Sequence, residues 1–287
     1  MKELPIPTLA LSPASLPRGS LHPRSQAPSM VPAPANANTQ DVGVLGGIQT
    51  SWAHHQDEVR SAQRLRYQVF AVEMGAHLNT PIPLHDVDHF DDFCEHLLVR
   101  STATGEVIGT YRALTPTQAV RAGGAYSETE FDLAPLQALR SSMVELGRSC
   151  VHVQHRQGGV ILALWSALYE FMQRNRLDSM MGCASIPMLH NGLVSGDVAA
   201  SVWQQVQRQY MADAAWQVKA RLPLPVDQLD SGLDIEPPAL IKGYLRLGAK
   251  VLGAPAWDPD FNTADLPMLM RVQDMPRRYQ KHFAGAA

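Results

Sequence analysis

One stretch, Ser142 to Ser185 (SMVELGRSCVHVQHRQGGVILALWSALYEFMQRNRLDSMMGCAS), constrains the fold more than any other. Met143 to Val153 has the composition of a strand, and Arg156 to Val160 is a glycine loop. Val160 to Asn175 then carries Ile161, Leu164, Trp165, Leu168, Phe171 and Met172 at helical spacing, and Asp178 to Ile186 returns as a strand. Strand, helix and strand in close succession predict a parallel pair joined by a right-handed crossover. Glycines between a strand and a helix let several backbone N–H groups converge at the positive end of the helix, which favours an anion and phosphate above all.

Around this unit the chain reads as α/β. Trp52 to Met74 has a helical apolar face, and a Pro- and Asp-rich loop follows to Asp92. His96 to Ser101 and Glu106 to Leu114 alternate about Thr104-Gly105, which predicts an antiparallel hairpin. Asp197 to Ala220 reads as a long helix, either packed on the core or lying on a membrane surface with its tryptophans. A basic polar face is missing there, which favours packing. Leu240 to Leu247 predicts a short helix and Met268 to Val272 a last strand.

Before these elements, residues 1–45 hold Pro5 through Pro34, eight of the 21 prolines, amid Ser, Ala and Asn. Such a segment buries too little apolar surface to offset its ordering entropy and is expected to be a disordered tail, with one domain over 46–287. It has neither the apolar run of a secretory signal nor the length of a membrane span. A net charge of −3 gives no basic field for nucleic acid. Three cysteines without a C-x-x-C pair argue against structural zinc and disulfides, so no metal is expected and a reducing cytoplasm fits.

Charged residues gather in two places. The loop Asp86-Val-Asp88-His-Phe-Asp91-Asp92 is dense in carboxylates, which repel one another unless cations sit among them. A substrate ammonium or the guanidinium groups of Arg66, Arg112 and Arg148 would serve, or the loop is simply solvated. Glu145 and Arg148 stand on the strand before the glycine loop. Three residues apart, they face one site only if the strand contains a β-bulge, which Gly147 would ease and which would splay the strand from its parallel neighbour.

Strand, glycine loop, helix and strand in this order resemble the acyl-CoA-binding core of the GCN5-related N-acetyltransferase superfamily. Its loop pattern R/Q-x-x-G-x-G/A is met from Arg156 to Gly159 but not at Ile161. Arg66-Tyr-Gln-Val69-Phe70, Asp86-x-Asp88-x-x-Asp91, Gly109-Thr-Tyr-Arg112 and Glu145-x-x-Arg148 resemble blocks of the acyl-homoserine-lactone synthases, although Gly75-Ala76 replaces an expected tryptophan. The same blocks, together with Gly182-Cys-Ala-Ser185, Pro238 to Ala249, Asp258-x-x-Phe261-x-Thr263 and Tyr279-x-x-His282-Phe283, resemble the bacterial ornithine N-acyltransferases from about Arg64 to Phe283.

That resemblance implies an acyltransferase fold, a mixed central sheet flanked by helices. It also implies transfer of a 3-hydroxyacyl chain from acyl carrier protein to the α-amine of L-ornithine, without a further cofactor. Asp86, Asp88 and Asp91 would then hold the side-chain ammonium, with Arg66 beside them, and Arg112 would clamp the carboxylate. Glu145 would accept the α-ammonium proton directly or through water, with Arg148 beside it. The same Asp/Arg set has a second reading, as a salt-bridged scaffold. Arg156, Gly158 and Gly159 would cradle the donor's phosphopantetheine, and Lys242 and Arg246 would receive the acidic carrier. Rival readings are an acyltransferase with glycine or lysine as acceptor, a lactone synthase, and a non-catalytic acyl- or carrier-binding module. A lyso-lipid product makes peripheral contact with the inner membrane an expectation as well.

Overall fold

The computed structural model describes residues 42–156 and 159–284. Nine strands form one mixed sheet: β1 (Val42–Leu45), β2 (Ile48–Trp52), β3 (Glu95–Ser101), β4 (Val107–Leu114), β5 (Met143–Val151), β6 (Ser179–Pro187), β7 (Lys250–Val251), β8 (Ala256–Asp258) and β9 (Thr263–Arg271). Their order is β1-β2-β3-β4-β5-β6-β9-β7, with β8 also paired to β9. The expected β3/β4 hairpin is present, turning at Gly105 with φ 73°. Strands β5 and β6 are parallel, joined through helix α3, and every other pairing in the sheet is antiparallel.

Helix α3 (Gly159–Arg174) buries Val160, Leu164, Leu168, Phe171 and Met172 and lies across β2, β3 and β4. At about 1.5–3 kcal/mol per buried side chain, this face alone contributes on the order of 10 kcal/mol before chain entropy is subtracted. The approach is close enough that a Cβ on Gly109 would stand 2.7 Å from Val160 Cγ1, so β4 needs a glycine there. Helix α1 (Gln56–Tyr67) covers β4 and β5 and continues as a π-helical segment, Gln68–Glu73, which buries Val69 and Phe70.

Several expectations need correction. Val42–Leu45, assigned to the tail, is strand β1, and β2 precedes α1 where helix was expected from Trp52. The reason is the turn Gly46-Gly47, with φ 57° and 82°, the positive values a tight hairpin requires. Residues 1–41 lie outside the described residues. Helix α2 (Pro116–Ala122) was missed, although Thr115 and Gln118 form its capping box, Pro116 opens it and Gly123 closes it at φ 85°. Helix α4 (Asp197–Tyr210) stops ten residues short of Ala220, at the extended Met211. It buries Ala199, Ala200, Val202 and Val206, as a core-packed helix does. The C-terminal region adds α5 (Ala239–Arg246), as expected, and the unforeseen α6 (Arg277–Ala284). Among the described residues, no helix is long and apolar enough to cross a membrane.

Candidate active site

Strands β5 and β6 pair only at Met143↔Ser179, Val144↔Met180 and Glu145↔Met181. The bulge that Glu145 and Arg148 require is present. On the β4 side, Thr110 pairs with Cys150 while Arg112 pairs with Gly147, so two residues of β5 oppose Tyr111 alone. The strain falls on Arg148, which has φ 49°, rather than on Gly147. A non-glycine residue there costs roughly 1–2 kcal/mol. Its guanidinium is gripped between the rings of Tyr126 and Phe261, 4.8 and 4.5 Å from their centroids. The slot left where β5 parts from β6 opens into a cavity of about 560 Å³.

Beside the bulge, three aspartates and three arginines close an alternating ring. Arg66 reaches Asp86 at 2.8 Å and Asp91 at 2.8 Å, Arg112 reaches Asp91 at 3.0 Å and Asp88 at 2.6 Å, and Arg148 reaches Asp88 at 3.0 Å and Asp86 at 3.2 Å. Burial pushes Asp88 and Asp91 up, but Arg112 and Arg148 for the first, and Arg66 for the second, hold both below the usual carboxylate range. Of the cations expected among Asp86, Asp88 and Asp91, a substrate ammonium or the chain's own guanidinium groups, the structure places the guanidinium groups of Arg66, Arg112 and Arg148 there. Arg66 and Arg112 are likewise committed to the ring and buried, so neither stands open as a clamp. Nearby His96 is buried with Nε2 3.0 Å from the Asp91 carbonyl oxygen, and burial lowers its pKa, as for a neutral core histidine.

Glu145 lines the cavity with both oxygens engaged. Oε2 accepts from Tyr126 N at 2.7 Å, and Oε1 accepts from Ser127 N at 2.6 Å and Ser127 Oγ at 2.5 Å. Burial still pushes its carboxyl up, against those donors. Cys183 Sγ donates toward Ser127 Oγ at 3.5 Å, so a short polar chain runs from β6 to Glu145. Burial raises all three cysteine thiols, Cys94 to about 12, which leaves no ready thiolate nucleophile among them.

Sequence reasoning missed two tyrosines. Tyr111 and Tyr244 share a hydroxyl–hydroxyl hydrogen bond at the bulge, with Ser149 beside them, and both line the cavity. Tyr244 is placed there by α5, which lies so close to α3 that a Cβ on Gly243 would meet Trp165 Cη2 at 2.4 Å. Met180, Met181, Met268 and Met270 line a narrow apolar recess that shares Tyr111, Leu146, Cys183 and Tyr244 with the main cavity.

The remaining expected residues are more scattered. Arg156 lines the cavity, donates from Nε to the Val151 carbonyl at 3.1 Å and pairs with Glu73. Gly159 opens α3, and Gly158 lies outside the described residues. On α5, Lys242 is paired with Glu236, while Arg246 is exposed.

A second acidic group was not anticipated. Glu130, Asp258 at the end of β8 and Asp265 on β9 bring carboxylate oxygens within 4.8 Å of one another. Burial first, then the charges of Asp265 and Asp258, push Glu130 well up, while Asp258 rises to about 6 and burial raises Asp265. The blocks around Asp258 and Thr263 were the one available signal, but nothing in the sequence ties them to Glu130.

Comparison with known proteins gives the following. Residues 65–166 match the acetyltransferase (GNAT) domain family. An L-ornithine N(alpha)-acyltransferase of Agrobacterium fabrum is 33% identical over 282 residues, covering 90% of this chain and 94% of that protein. One from Rhodobacter capsulatus is 33% identical over 246 residues, covering 80% of this chain and 92% of that protein. Among solved structures, a CoA-dependent acyl-homoserine lactone synthase with SAM and isopentyl-CoA superimposes with a TM-score of 0.47 at 17% identity, over 79% of this chain and 81% of that one.

Proposed function

Because this chain belongs to the L-ornithine N(alpha)-acyltransferase family and has the GNAT fold, we propose that it acylates the α-amine of L-ornithine with a 3-hydroxyacyl chain delivered by acyl carrier protein. The observation that carries this reading is the slot where β5 parts from β6 after Glu145↔Met181, opening on a largely apolar cavity into which Glu145 and Ser127 face, beside a strand bulge. An extended pantetheine arm can hydrogen-bond along a strand whose ladder partner has turned away. Its phosphate would lie by Arg156 and the start of α3, and its thioester near the bulge.

Amide formation needs a neutral amine, a stabilised oxyanion and a protonated leaving thiolate. The amine attacks the thioester carbonyl carbon, a C–N bond forms and the C–S bond breaks. Ser127 Oγ, already donating to Glu145 Oε1, is suited to take the ammonium proton while passing its own to Glu145. Burial helps by raising the affinity of that carboxylate for a proton. Backbone N–H groups at the bulge would face the oxyanion, and as the tetrahedral adduct collapses the nitrogen's second proton would pass through the Tyr111–Tyr244 pair to the departing thiolate, which leaves both hydroxyls protonated. The acyl chain would extend toward the methionine-lined recess.

The Asp/Arg ring serves here as scaffold, fixing Arg148 and thereby the bulge. Carrier docking falls to the exposed Arg246 and its neighbours on α5, a few residues from Tyr244. The test is incubation of pure protein with 3-hydroxyacyl carrier thioester and separate amino acids, with products weighed by mass spectrometry. An amide of ornithine is expected. Failure to form an amide with any acceptor would sink the assignment.

A further inference from the structure

We infer that Glu130, Asp258 and Asp265 form the seat for the non-reacting side-chain ammonium of a diamino acid acceptor, and so select such acceptors over neutral ones. The inference rests on the proposed reading of the cavity as an amino-acid acylation site.

Asp258 and Asp265 line the cavity, and Glu130 stands behind them. One oxygen of Asp258 accepts from the backbone N–H groups of Asp260 and Phe261, at 2.9 and 3.0 Å, and one oxygen of Asp265 accepts from Thr263 Oγ1 at 2.9 Å. Asp258 therefore keeps a second oxygen for a ligand, while Asp265 also lies within reach of the Ser185 hydroxyl and the Glu130 carboxyl. Glu130 is the independent sign that something is to be bound. Both its oxygens are buried, and neither makes a hydrogen bond of normal geometry, although the Tyr126 hydroxyl and the Cys183 thiol lie near. A buried carboxyl with no well-formed hydrogen bond is costly and uncommon in a folded protein. No arginine or lysine among the described residues forms an ion pair with any of the three, and Arg148, the cation that most influences Asp265, is spent on Asp86 and Asp88.

The spacing fits an ammonium. One oxygen from each carboxyl lies within 4.8 Å of the others, close enough for a single ammonium to reach all three, since acceptors at about 2.8 Å around one tetrahedral nitrogen stand up to about 4.6 Å apart. A lysine-like head also offers three N–H donors for three carboxylates. A calcium ion would want roughly six to eight oxygens at shorter range. Chemistry decides which of the acceptor's two amines sits here. A cluster of carboxylates holds an amine protonated, which suits the ammonium that must not react and would silence the one that must. The attacking amine belongs instead beside Ser127, Cys183 and Glu145, where a neutral hydroxyl is the nearest acceptor.

The test compares ornithine with 2-aminopentanoate, the same chain without the terminal ammonium. The wild-type protein is expected to favour ornithine in kcat/KM by about 100-fold, and Asp265→Asn, Asp258→Asn or Glu130→Gln to cut that preference by about 30-fold. The change should fall mainly on KM. Each substitution is isosteric, thermal melting checks folding, and any one folded variant decides the matter. Titration of wild type with ornithine in buffers of different ionisation enthalpy should also show proton release, as the cluster ionises around the ammonium. Unaltered preference in the folded variants would overturn the inference, as would turnover abolished by EDTA and restored by a divalent cation, which would make the cluster a metal site. Equal use of both acceptors by wild type refutes the seat while leaving the acylation reading intact. Absence of amide with every amino acid removes the acylation reading itself and the seat with it.

Discussion

Two groups of three carboxylates lie near one cavity, and their difference is informative. Asp86, Asp88 and Asp91 alternate with three arginines, so the ring carries its own countercharge, and those arginines hold Asp88 and Asp91 below the usual carboxylate range. Glu130, Asp258 and Asp265 form no ion pair with a cation among the described residues, and all three are pushed up. Density of acidic residues along the chain pointed to the first group. Missing countercharge in three dimensions points to the second. Buried ions that are already paired hold a structure together, whereas buried ions left unpaired are where a ligand gains most.

The largest effect should follow from breaking the ring. Arg112→Met leaves Asp88 and Asp91 short of a buried partner and is expected to cost about 3–5 kcal/mol in denaturant unfolding. A loss below about 1 kcal/mol would mean that the ring is not the scaffold. Glu145 lies between the two regimes, hydrogen-bonded by neutral donors and only within the field of Arg112. Glu145→Gln is expected to lower kcat by about 100-fold with donor binding retained, and normal turnover by the folded variant would remove it as proton acceptor.

Neutralising the unpaired group should do the opposite to stability. Asp258 has its carboxyl raised from an unfolded value near 3.8 to about 6, so the folded protein keeps a proton that the unfolded chain has released. That contribution is present below the unfolded value and lost as pH rises through about 6. Asp258→Asn is therefore expected to stabilise the protein by about 1–2 kcal/mol at pH 7 and not at pH 3. Melting curves at both values check the sign. Salt gives the smallest change. Between low and high ionic strength the ring, being buried, should leave the melting temperature nearly still, while KM for ornithine rises a few-fold through screening of its approach. A melting temperature that falls with KM would erase the distinction.

Much of this fold was legible because its signals are local. The β5–α3–β6 unit announces itself through alternation, two glycines and a 3.6-residue period, and the bulge follows from needing Glu145 and Arg148 on one side. Helix α2 and the β1/β2 hairpin had equally local marks, Thr115-Pro116 with Gly123 and Gly46-Gly47, which longer apolar patterns nearby obscured. The site was harder to read. The cations answering Asp86, Asp88 and Asp91 lie at Arg66, Arg112 and Arg148, on a helix and two strands, so whether that loop is charged or neutral is settled only by folding. Glu130 and Asp265 are separated by most of the acyltransferase core, and repulsion between them has no trace in spacing. Tyr244 reaches Tyr111 only because Gly243 lets one helix settle on another.

The left-handed backbone at Arg148 ties distant parts of the chain into one dependency. A residue held against its own preference relaxes once its restraints go, and here the restraints are two aspartates from the 86–92 segment and two aromatic rings. The slot between β5 and β6 is consequently not a property of the two strands that border it. It exists only after a loop from far upstream has docked, so a change in that loop would reshape the doorway without touching anything that passes through it.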